Sequence, residues 1–505
     1  MTPITRIPQQ DGHRRSSLLR RVRRASSRPL VWAIALVLFI SMYPSANPHL
    51  LRAAAQGTSI TVMMIEDPFY FQLSKVVPQF EKSTGITVKL EPVSYDAMHA
   101  RMVNAAVTKS SAFDALTPDS MWVSEFANNG WIVPLDDYIR ADRSQVQPAD
   151  FIPSVMWSLD EWNGHMYTLP VAAYGQDVLY RTDVFKALHL TAPPTSPADA
   201  SRWTWSQYMS DVHAITGHTI GGTKLFGTVI AGQQPSPIMH MYSQLAASLG
   251  ARWFKTFPGS KTWNFTPAID SATNIKAITM FRDLYRNSPP QAVSMNWFEA
   301  GTAFAQGNVG MMYWWTPYNY LVDKAGYEVP QSSPIVGKYS VGLLPQQPGT
   351  PQTTSIGGYG LAVSSFSQKK DAAFKFVAWA TSAHTQLEMA LQKGYQFDDF
   401  ARSSLYHNSA AIAHYPWLPT QLQVMQSGNG KAVRPPIPIY YVLEGLYGTA
   451  LNDAIRGKTA PAAAAASVES QFKSVLGDDS YLPFSGTSYA DTLANTVALL
   501  KHLGQ

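Results

Sequence analysis

The chain has 505 residues, of which 46% are hydrophobic and 14% are charged, and it contains 32 glycines, 35 prolines and no cysteine. This length is sufficient for two domains of ordinary size, and the composition excludes collagen, coiled coils and wholesale disorder. The lack of cysteine excludes a disulfide scaffold, a cysteine nucleophile, cysteine-ligated zinc and a lipid anchor on an N-terminal cysteine.

The net charge of +5 is unevenly distributed along the chain. Residues 1–55 hold nine arginines, no lysine and one acid, so they carry +8 and the remainder carries −3. A mildly acidic body lacks the basic surface that binds nucleic acid, so we expect no nucleic-acid partner.

The first 55 residues are arranged like an export signal. A basic stretch at 14–28 precedes an apolar run at 30–42, which at about 1.5 Å per residue is too short for a hydrocarbon core of about 30 Å. The segment Ala53-Ala54-Ala55-Gln56 follows, with the small-residue pattern that a signal peptidase recognises. An uncleaved N-terminal anchor stays open as an alternative, as do the Sec and twin-arginine routes. Either way we expect the body from Gly57 to work outside the cytoplasm.

The first part of the body alternates strand-like and helix-like segments. Residues 59–65 are an almost continuous apolar run with β-branched residues, which is typical of a strand buried on both faces. The predicted elements that follow are a helix through Phe80, a strand over 86–90 that ends at Pro92, a helix over 97–107 and a strand at 113–116. This order predicts consecutive right-handed βαβ units in a doubly wound domain.

Later segments add a strand and three helices. Residues 359–363 predict a strand that leads into a helix over 371–381, with Asp371 as its N-cap. An alanine-rich helix is predicted over 461–476 and another helix over 490–503.

The sequence lacks the common enzyme signatures. It has no His-Glu-x-x-His motif, no phosphate-binding loop and no Gly-x-Ser-x-Gly nucleophile elbow. We therefore expect no metal, no cofactor and no catalysis. A secreted carbohydrate-active enzyme stays open, because sequence cannot place two carboxylates across a glycosidic bond.

The aromatic residues are the most informative feature of the body. The chain has 14 Trp and 24 Tyr, and flat aromatic faces stack on the C–H faces of sugar rings. Trp314 and Trp315 are adjacent, so in an extended segment they point in opposite directions and cannot both serve one core. Asp119 and Trp122 follow a predicted strand end, where open α/β sheets bind ligands.

Six short motifs occur in an order that is typical of one family. They are Phe113-Asp114-Ala115 with Asp119-x-x-Trp122, Gly164 to Pro170, Leu179-Tyr180-Arg181, Ala303 to Gly307, Gly357 to Val363, and Arg434-Pro435-Pro436-Ile437-Pro438. Together they resemble the family 1 extracellular solute-binding proteins, the maltose-binding-protein-like receptors of sugar ABC importers.

The resemblance implies an α/β fold of two lobes, similar to the type II periplasmic-binding-protein fold, with crossing hinge segments and the ligand in the cleft. Crossings are expected at 171–180, at 355–363 and near 401–416. The implied domains are a signal peptide or anchor at 1–55, a first lobe at 57–171 and 363–410, a second lobe at 172–354 and 411–480, and a C-terminal helical tail at 481–505.

The resemblance also implies a set of ligand contacts. They are Glu66, Tyr70, Asp119, Trp122, Tyr174, Asp177, Trp297, Trp314, Trp315, Gly358, Tyr359, Arg402 and Tyr440. In this set Asp119 and Asp177 would accept hydrogen bonds from hydroxyls, Arg402 would donate them, and Trp122 and Trp315 would sandwich sugar rings. Tyr174 stands where the maltose binders carry a carboxylate.

The sequence thus predicts an exported, monomeric receptor that captures a carbohydrate and delivers it to the permease subunits of an ABC importer. Among carbohydrates, an oligosaccharide is the favoured ligand. It would use no cofactor and would not be a lipoprotein. Two alternatives stay open, a secreted carbohydrate-active enzyme and a membrane-anchored sensory ectodomain.

Overall fold

The computed structural model describes residues 57–259, 263–323, 332–348, 352–477 and 490–505, all of which belong to one compact unit. The predicted export segment at 1–55 lies outside these ranges. Within them, no helix combines the length and apolar character needed to cross a membrane.

The strands of the described ranges fall into two main sheets and two short hairpins. They are β1 Ser59–Ile65, β2 Thr87–Val93, β3 Ala115–Leu116, β4 Glu161–Trp162, β5 His165–Met166, β6 Leu169–Tyr174, β7 Gln176–Arg181, β8 Thr219–Ile220, β9 Thr223–Lys224, β10 Met311–Trp315, β11 Tyr339–Gly342 and β12 Gly357–Val363.

The α-helices pack around both sheets. They are α1 Pro68–Thr84, α2 Tyr95–Val107, α3 Val123–Asn128, α4 Asp136–Ala141, α5 Arg143–Val146, α6 Pro153–Leu159, α7 Thr182–Ala187, α8 Pro197–Ala200, α9 Trp205–Ile215, α10 Ser236–Ser248, α11 Ala272–Arg286, α12 Trp297–Ala305, α13 Lys370–Ala380, α14 Ala383–Leu391, α15 Ser403–Tyr406, α16 Ser409–His414, α17 Leu418–Gln426, α18 Gly430–Val433, α19 Tyr440–Ile455, α20 Pro461–Leu476 and α21 Leu493–Leu503.

The first sheet has the strand order β2-β1-β3-β12-β6. β1 is parallel to both β2 and β3, with Met63 opposite Glu91 on one side and Leu116 on the other. Right-handed βαβ units produce this arrangement, so the predicted succession of strand, helix and strand is confirmed. Most of β1 is buried, as its continuous apolar run predicts.

Several predicted boundaries were wrong, including those of β2, β3 and α13. β2 continues past Pro92 to Val93, because β2 is an edge strand, where a proline without an N–H is tolerated. β3 is only Ala115–Leu116. Asp371 lies in the first turn of α13, which begins at Lys370 with Lys369 at the N-cap position. An acid in the first turn interacts favourably with the helix dipole without being the cap.

The second sheet has the order β10-β7-β11, with β7 antiparallel to both neighbours. Gly175 alone separates β6 of the first sheet from β7 of the second. A Cβ at this position would lie 2.4 Å from Cγ1 of Val424 on α17. The chain therefore passes between the sheets at a residue that has no room for a side chain.

The C-terminal segment packs back onto the helices of the first sheet. Helix α21 contacts α4 and α6. Just before it, Asp491 joins Lys431 and Glu161 in a fully buried group that we term the Lys431 cluster. Lys431 Nζ lies 2.5 Å from Glu161 Oε2 and 2.9 Å from Asp491 Oδ1, and Trp157 Nε1 donates to Asp491 at 2.7 Å. Both carboxylates raise the pKa of Lys431, although burial alone would lower it.

Candidate functional site

A cleft lies where strand ends of the two sheets face each other. Its inner cavity encloses about 310 Å³ of empty space, counting the part that is open to solvent. The residues that line it are Tyr95, Asp119, Tyr174, His240, Trp297, Trp315, Tyr318, Gly357, Gly358, Tyr359 and Arg434. Both sheets contribute, since β6 and β12 belong to the first sheet and β10 to the second.

An outer cavity of about 720 Å³ adjoins the inner one. Glu66, Asp67 and Ser94 line it together with Ile65 and Phe298. The two cavities share four aromatic residues, which are Tyr95, Trp297, Tyr318 and Tyr359. These shared rings make the two cavities parts of a single aromatic-walled cleft.

Strand alternation separates the two adjacent tryptophans. Trp315 lines the inner cavity, with the Arg434 guanidinium 5.2 Å from its ring centroid. Trp314 is fully buried and packs against Tyr318 at 5.7 Å. Gly357 is required beside Trp315, because a Cβ there would lie 2.9 Å from the Trp315 ring and 2.8 Å from Arg434 Nη2.

Asp119 is held in a fixed orientation at the first-sheet side of the cleft. Its Oδ1 accepts from the backbone N–H of Met121 at 2.9 Å and from the hydroxyl of Ser120 at 3.2 Å. The Tyr95 hydroxyl donates to its Oδ2 at 3.4 Å. Asp119 thereby caps a short 3₁₀ turn, and Trp122 in that turn packs beneath Tyr95 at 5.5 Å.

The second-sheet side carries a network of His240, Arg434 and Glu444. Arg434 Nη1 lies 2.8 Å from Nε2 of His240, whose ring is on α10. Glu444 on α19 accepts from Ser236 at 2.8 Å and from Tyr440 at 2.9 Å. Burial and the charge of Arg434 lower the pKa of His240. The imidazole is therefore neutral at pH 7.

Four acids meet near the crossing between the sheets, and we term them the hinge carboxyl cluster: Asp67, Asp177, Asp398 and Asp399. Burial raises the pKa of Asp67 and of Asp177 to about 7, that of Asp398 to about 6, and that of Asp399 well above its ordinary value. Tyr174 donates to Asp67 at 3.1 Å and Asn319 donates to Asp177 at 3.0 Å. Among the described residues, no lysine or arginine contributes to these four shifts.

The structure brings together seven of the residues expected in the cleft. Asp119, Tyr174, Trp297, Trp315, Gly358 and Tyr359 line the inner cavity, and Glu66 lines the outer one. Trp122 and Trp314 lie behind the walls. Asp177 belongs to the hinge carboxyl cluster, and Tyr70 packs against Phe71 at 5.2 Å.

Two residues that were expected to contact the ligand form hydrogen bonds with other parts of the protein instead. Arg402 is fully buried and donates to the backbone carbonyls of Thr381 and Val146, and its guanidinium lies 4.0 Å from the Phe151 ring centroid. This placement contradicts the expectation that Arg402 donates to a ligand, because its donors are used inside the first-sheet region. Tyr440 is buried and donates to Glu444 rather than lining the cavity.

Sequence reasoning missed five residues that line the inner cavity: Tyr95, His240, Tyr318, Gly357 and Arg434. Arg434 stands in one of the six motifs, yet the motif gave no reason to place its side chain in the cleft. His240 lies within a helix without any local motif, so no sequence signal was available for it.

The sequence model of the family described as "Bacterial extracellular solute-binding protein" matches residues 71–387, which is more than half of the chain. The chain belongs to the bacterial extracellular solute-binding proteins.

Similar proteins and solved structures cover most of the chain. A "Probable ABC transporter-binding protein" of Deinococcus radiodurans is 24% identical over 434 residues, covering 84% of this chain and 96% of its own length. A solute-binding protein of Agrobacterium radiobacter K84, in complex with ribitol, has a TM-score of 0.73 and 26% identity over 83% of this chain and 99% of its own. One from Agrobacterium vitis S4, with bound D-mannitol, has a TM-score of 0.71 and 23% identity over 84% of this chain and all of its own.

The family membership confirms the resemblance read from the six motifs and the two-lobed α/β fold that it implied. The family consists of solute-binding proteins rather than enzymes. The described residues contain no cluster of three or more His, Asp or Glu that could hold a metal ion.

Proposed function

We propose that this solute-binding protein captures a neutral sugar or polyol in the inner cavity and delivers it to the membrane subunits of an ABC importer. The observation that carries the proposal is the composition of the cavity wall. Aromatic faces at Trp297, Trp315 and Tyr359 surround one carboxylate, Asp119, and one guanidinium, Arg434. Such a wall offers stacking surfaces together with both acceptors and donors for hydroxyls.

The volume of the cleft supports a small ligand in the inner cavity. The inner cavity is the narrower of the two, with about 310 Å³ of empty space against about 720 Å³ in the outer cavity, solvent-open space included. The two similar structures hold ribitol and D-mannitol, which are small and linear. We therefore propose a polyol or monosaccharide as the unit recognised by the inner cavity.

The remaining features of the proposal rest on the sequence together with the family. The protein acts outside the cytoplasm as a monomer without a cofactor or a lipid anchor, binds no nucleic acid and leaves its ligand chemically unchanged. The two lobes, divided as the sequence predicts, close on the ligand by movement about the crossings.

A thermal-shift screen of the purified protein against polyols, sugars, polyamines and phosphate esters tests this proposal. A ligand at a hundred times its dissociation constant stabilises the folded state by about 2.7 kcal/mol. A shift with polyols or sugars and an unaltered ligand by mass spectrometry would support the proposal. A shift only with polyamines or phosphate esters would overturn the ligand class, and a hydrolysed glycan would favour the enzyme alternative.

Trp315→Ala tests the site itself. We expect it to weaken binding of the ligand found in the screen by about 2–4 kcal/mol in titration calorimetry, because a buried aromatic anchor is removed. Trp131→Ala is the matched control. Its ring packs on Phe126 at 5.2 Å, away from the residues that line the inner cavity, so affinity should stay unchanged. Equal losses in both variants would contradict the site.

A further inference from the structure

The network behind the second-sheet wall of the cleft determines which nitrogen of His240 carries a proton. Nε2 lies 2.8 Å from Arg434 Nη1 and 3.5 Å from Glu444 Oε1. A guanidinium can only donate, so at 2.8 Å the Nε2 atom must accept and cannot bear a hydrogen. The longer contact with Glu444 is therefore not a hydrogen bond from Nε2. In a neutral imidazole the single proton is then on Nδ1.

The protonated Nδ1 is the His240 nitrogen that lacks a hydrogen-bond acceptor among the described residues. His240 lines the inner cavity and its side chain is only 6% exposed. Among the residues that the structure describes, Nδ1 finds no hydrogen-bond partner. A buried N–H without an acceptor is unfavourable, and a ligand oxygen would supply the missing acceptor.

Two further donors of the same wall share this property. Arg434 Nε and Trp297 Nε1 are buried, line the inner cavity and have no acceptor among the described residues. The Trp297 ring centroid lies 5.1 Å from that of His240. This wall therefore presents several N–H groups, while Asp119 on the first-sheet side accepts.

We propose that His240 is a ligand-binding residue that donates its Nδ1–H to a hydroxyl oxygen of the ligand, and that Arg434 holds it in this tautomer. The proposal rests on the proposed function, because it requires a polyhydroxylated ligand in the inner cavity. Arg434 is thus a positioning residue for His240 in addition to lining the cleft. Glu444 supports the network by its hydrogen bonds from Ser236 and Tyr440.

Nuclear magnetic resonance of the ¹⁵N-histidine-labelled protein tests the tautomer without any ligand. The His240 signals are those missing from the spectrum of His240→Asn. We expect a protonated Nδ1 and an unprotonated Nε2 at pH 7. In an Arg434→Met variant we expect a mixture of the two tautomers, because the donor that holds Nε2 as an acceptor is removed. A proton on Nε2 of the unsubstituted protein would overturn the inference.

Two substitutions separate ligand binding from structural support. The amide nitrogen of Asn is bonded to Cγ, as Nδ1 is, so His240→Asn keeps a donor at the ligand position but loses the acceptor for Arg434. His240→Gln places an amide oxygen close to the Nε2 position, so it keeps the acceptor and loses the donor.

The two variants should rank in opposite order for stability and for affinity. By titration calorimetry with ribitol, D-mannitol and maltose, we expect His240→Gln to lose roughly tenfold in affinity and His240→Asn about threefold or less. In thermal unfolding His240→Gln should be the more stable of the two. If the same variant is weaker in both measurements, His240 is structural and the inference is wrong.

The outcomes also separate this inference from the proposed function. Binding of a polyol or sugar together with a proton on Nε2 would leave the receptor function intact and overturn the role of His240. If none of the three probes and no other sugar or polyol of the thermal-shift screen binds, the proposed function fails. The role of Nδ1 toward a hydroxyl then fails with it, whichever tautomer is observed.

Discussion

Two buried groups of carboxyls in this molecule have opposite electrostatics. In the Lys431 cluster, Glu161 and Asp491 share one fully buried cation. In the hinge carboxyl cluster, four acids lie together with only neutral donors, and burial raises the pKa of each. The difference shows how a cation decides the behaviour of buried acids. With the cation they form ion pairs that tie distant segments together, and without it burial raises the pKa of each acid.

The largest expected effect comes from removing the cation. Lys431→Met should destabilise the protein by about 3–5 kcal/mol, because Glu161 and Asp491 then remain buried without their partner. Chemical denaturation measures the loss. Lys458→Met is the control, since Lys458 pairs with Asp453 at 2.8 Å on the surface, where a pair contributes about 1 kcal/mol or less. Similar losses in the two variants would contradict the cluster's role.

A second prediction concerns the pH dependence of the hinge carboxyl cluster. The pKa of Asp177 rises from 3.8 to about 7 on folding. Between these values the folded state binds more protons than the unfolded state, so its stability falls as pH rises and then levels off above pH 7. This one group contributes at most about 1.4 kcal/mol per pH unit.

Asp177→Asn removes this titration. Asn319 can turn its amide to accept from the new side chain, because its Oδ1 has no partner among the described residues. We expect the unfolding free energy of the variant, measured relative to that of the unsubstituted protein, to be higher at pH 8 than at pH 5.

The matched control for this pH effect is Asp183→Asn. Burial alone would raise the pKa of Asp183, but its hydrogen bonds with Arg181 lower it overall. Its difference from the unsubstituted protein should therefore be the same at pH 5 and pH 8. A constant difference for Asp177→Asn as well would show that Asp177 does not titrate in this range.

The smallest expected effect is that of Tyr174→Phe. The variant removes one of the two hydroxyls that donate to Asp67 Oδ2, the other being that of Tyr318 at 3.4 Å. We expect a loss of about 0.5–1.5 kcal/mol, since one hydrogen bond is removed. The loss should be larger at pH 8 than at pH 5, because the hydroxyl stabilises the ionised form of Asp67. Urea denaturation at both pH values would show this, and an identical loss at both would argue against it.

Local patterns predicted the part of the fold that local sequence controls. The apolar run of β1 identified a buried strand, and the alanine-rich helix was predicted at the observed bounds, Pro461–Leu476. Strand alternation likewise separated Trp314 from Trp315. Such features depend on residues that are close together in the chain.

The cleft was only partly predictable because its polar network joins distant segments. His240 and Arg434 are 194 residues apart, and only tertiary packing brings them within 2.8 Å. Arg402 shows the converse. Its charge suggested a ligand donor, yet its guanidinium serves the backbone carbonyls of Thr381 and Val146. The type of a residue indicates what it can bond, and packing decides which partner it meets.

Gly175 lies where the chain passes from the first sheet to the second, and its backbone is held on both sides. Its N–H donates to Thr316 Oγ1 at 3.1 Å, and its carbonyl accepts from the Thr316 N–H at 3.0 Å, so both backbone groups are clamped at the end of β10. Points near a pivot move least and points far from it move most. Rotation of the lobes about this glycine would therefore leave Tyr174 almost stationary while displacing the residues of the outer cavity. A ligand would then contact the nearly stationary residues near Gly175 first, and the residues of the outer cavity would close on it last.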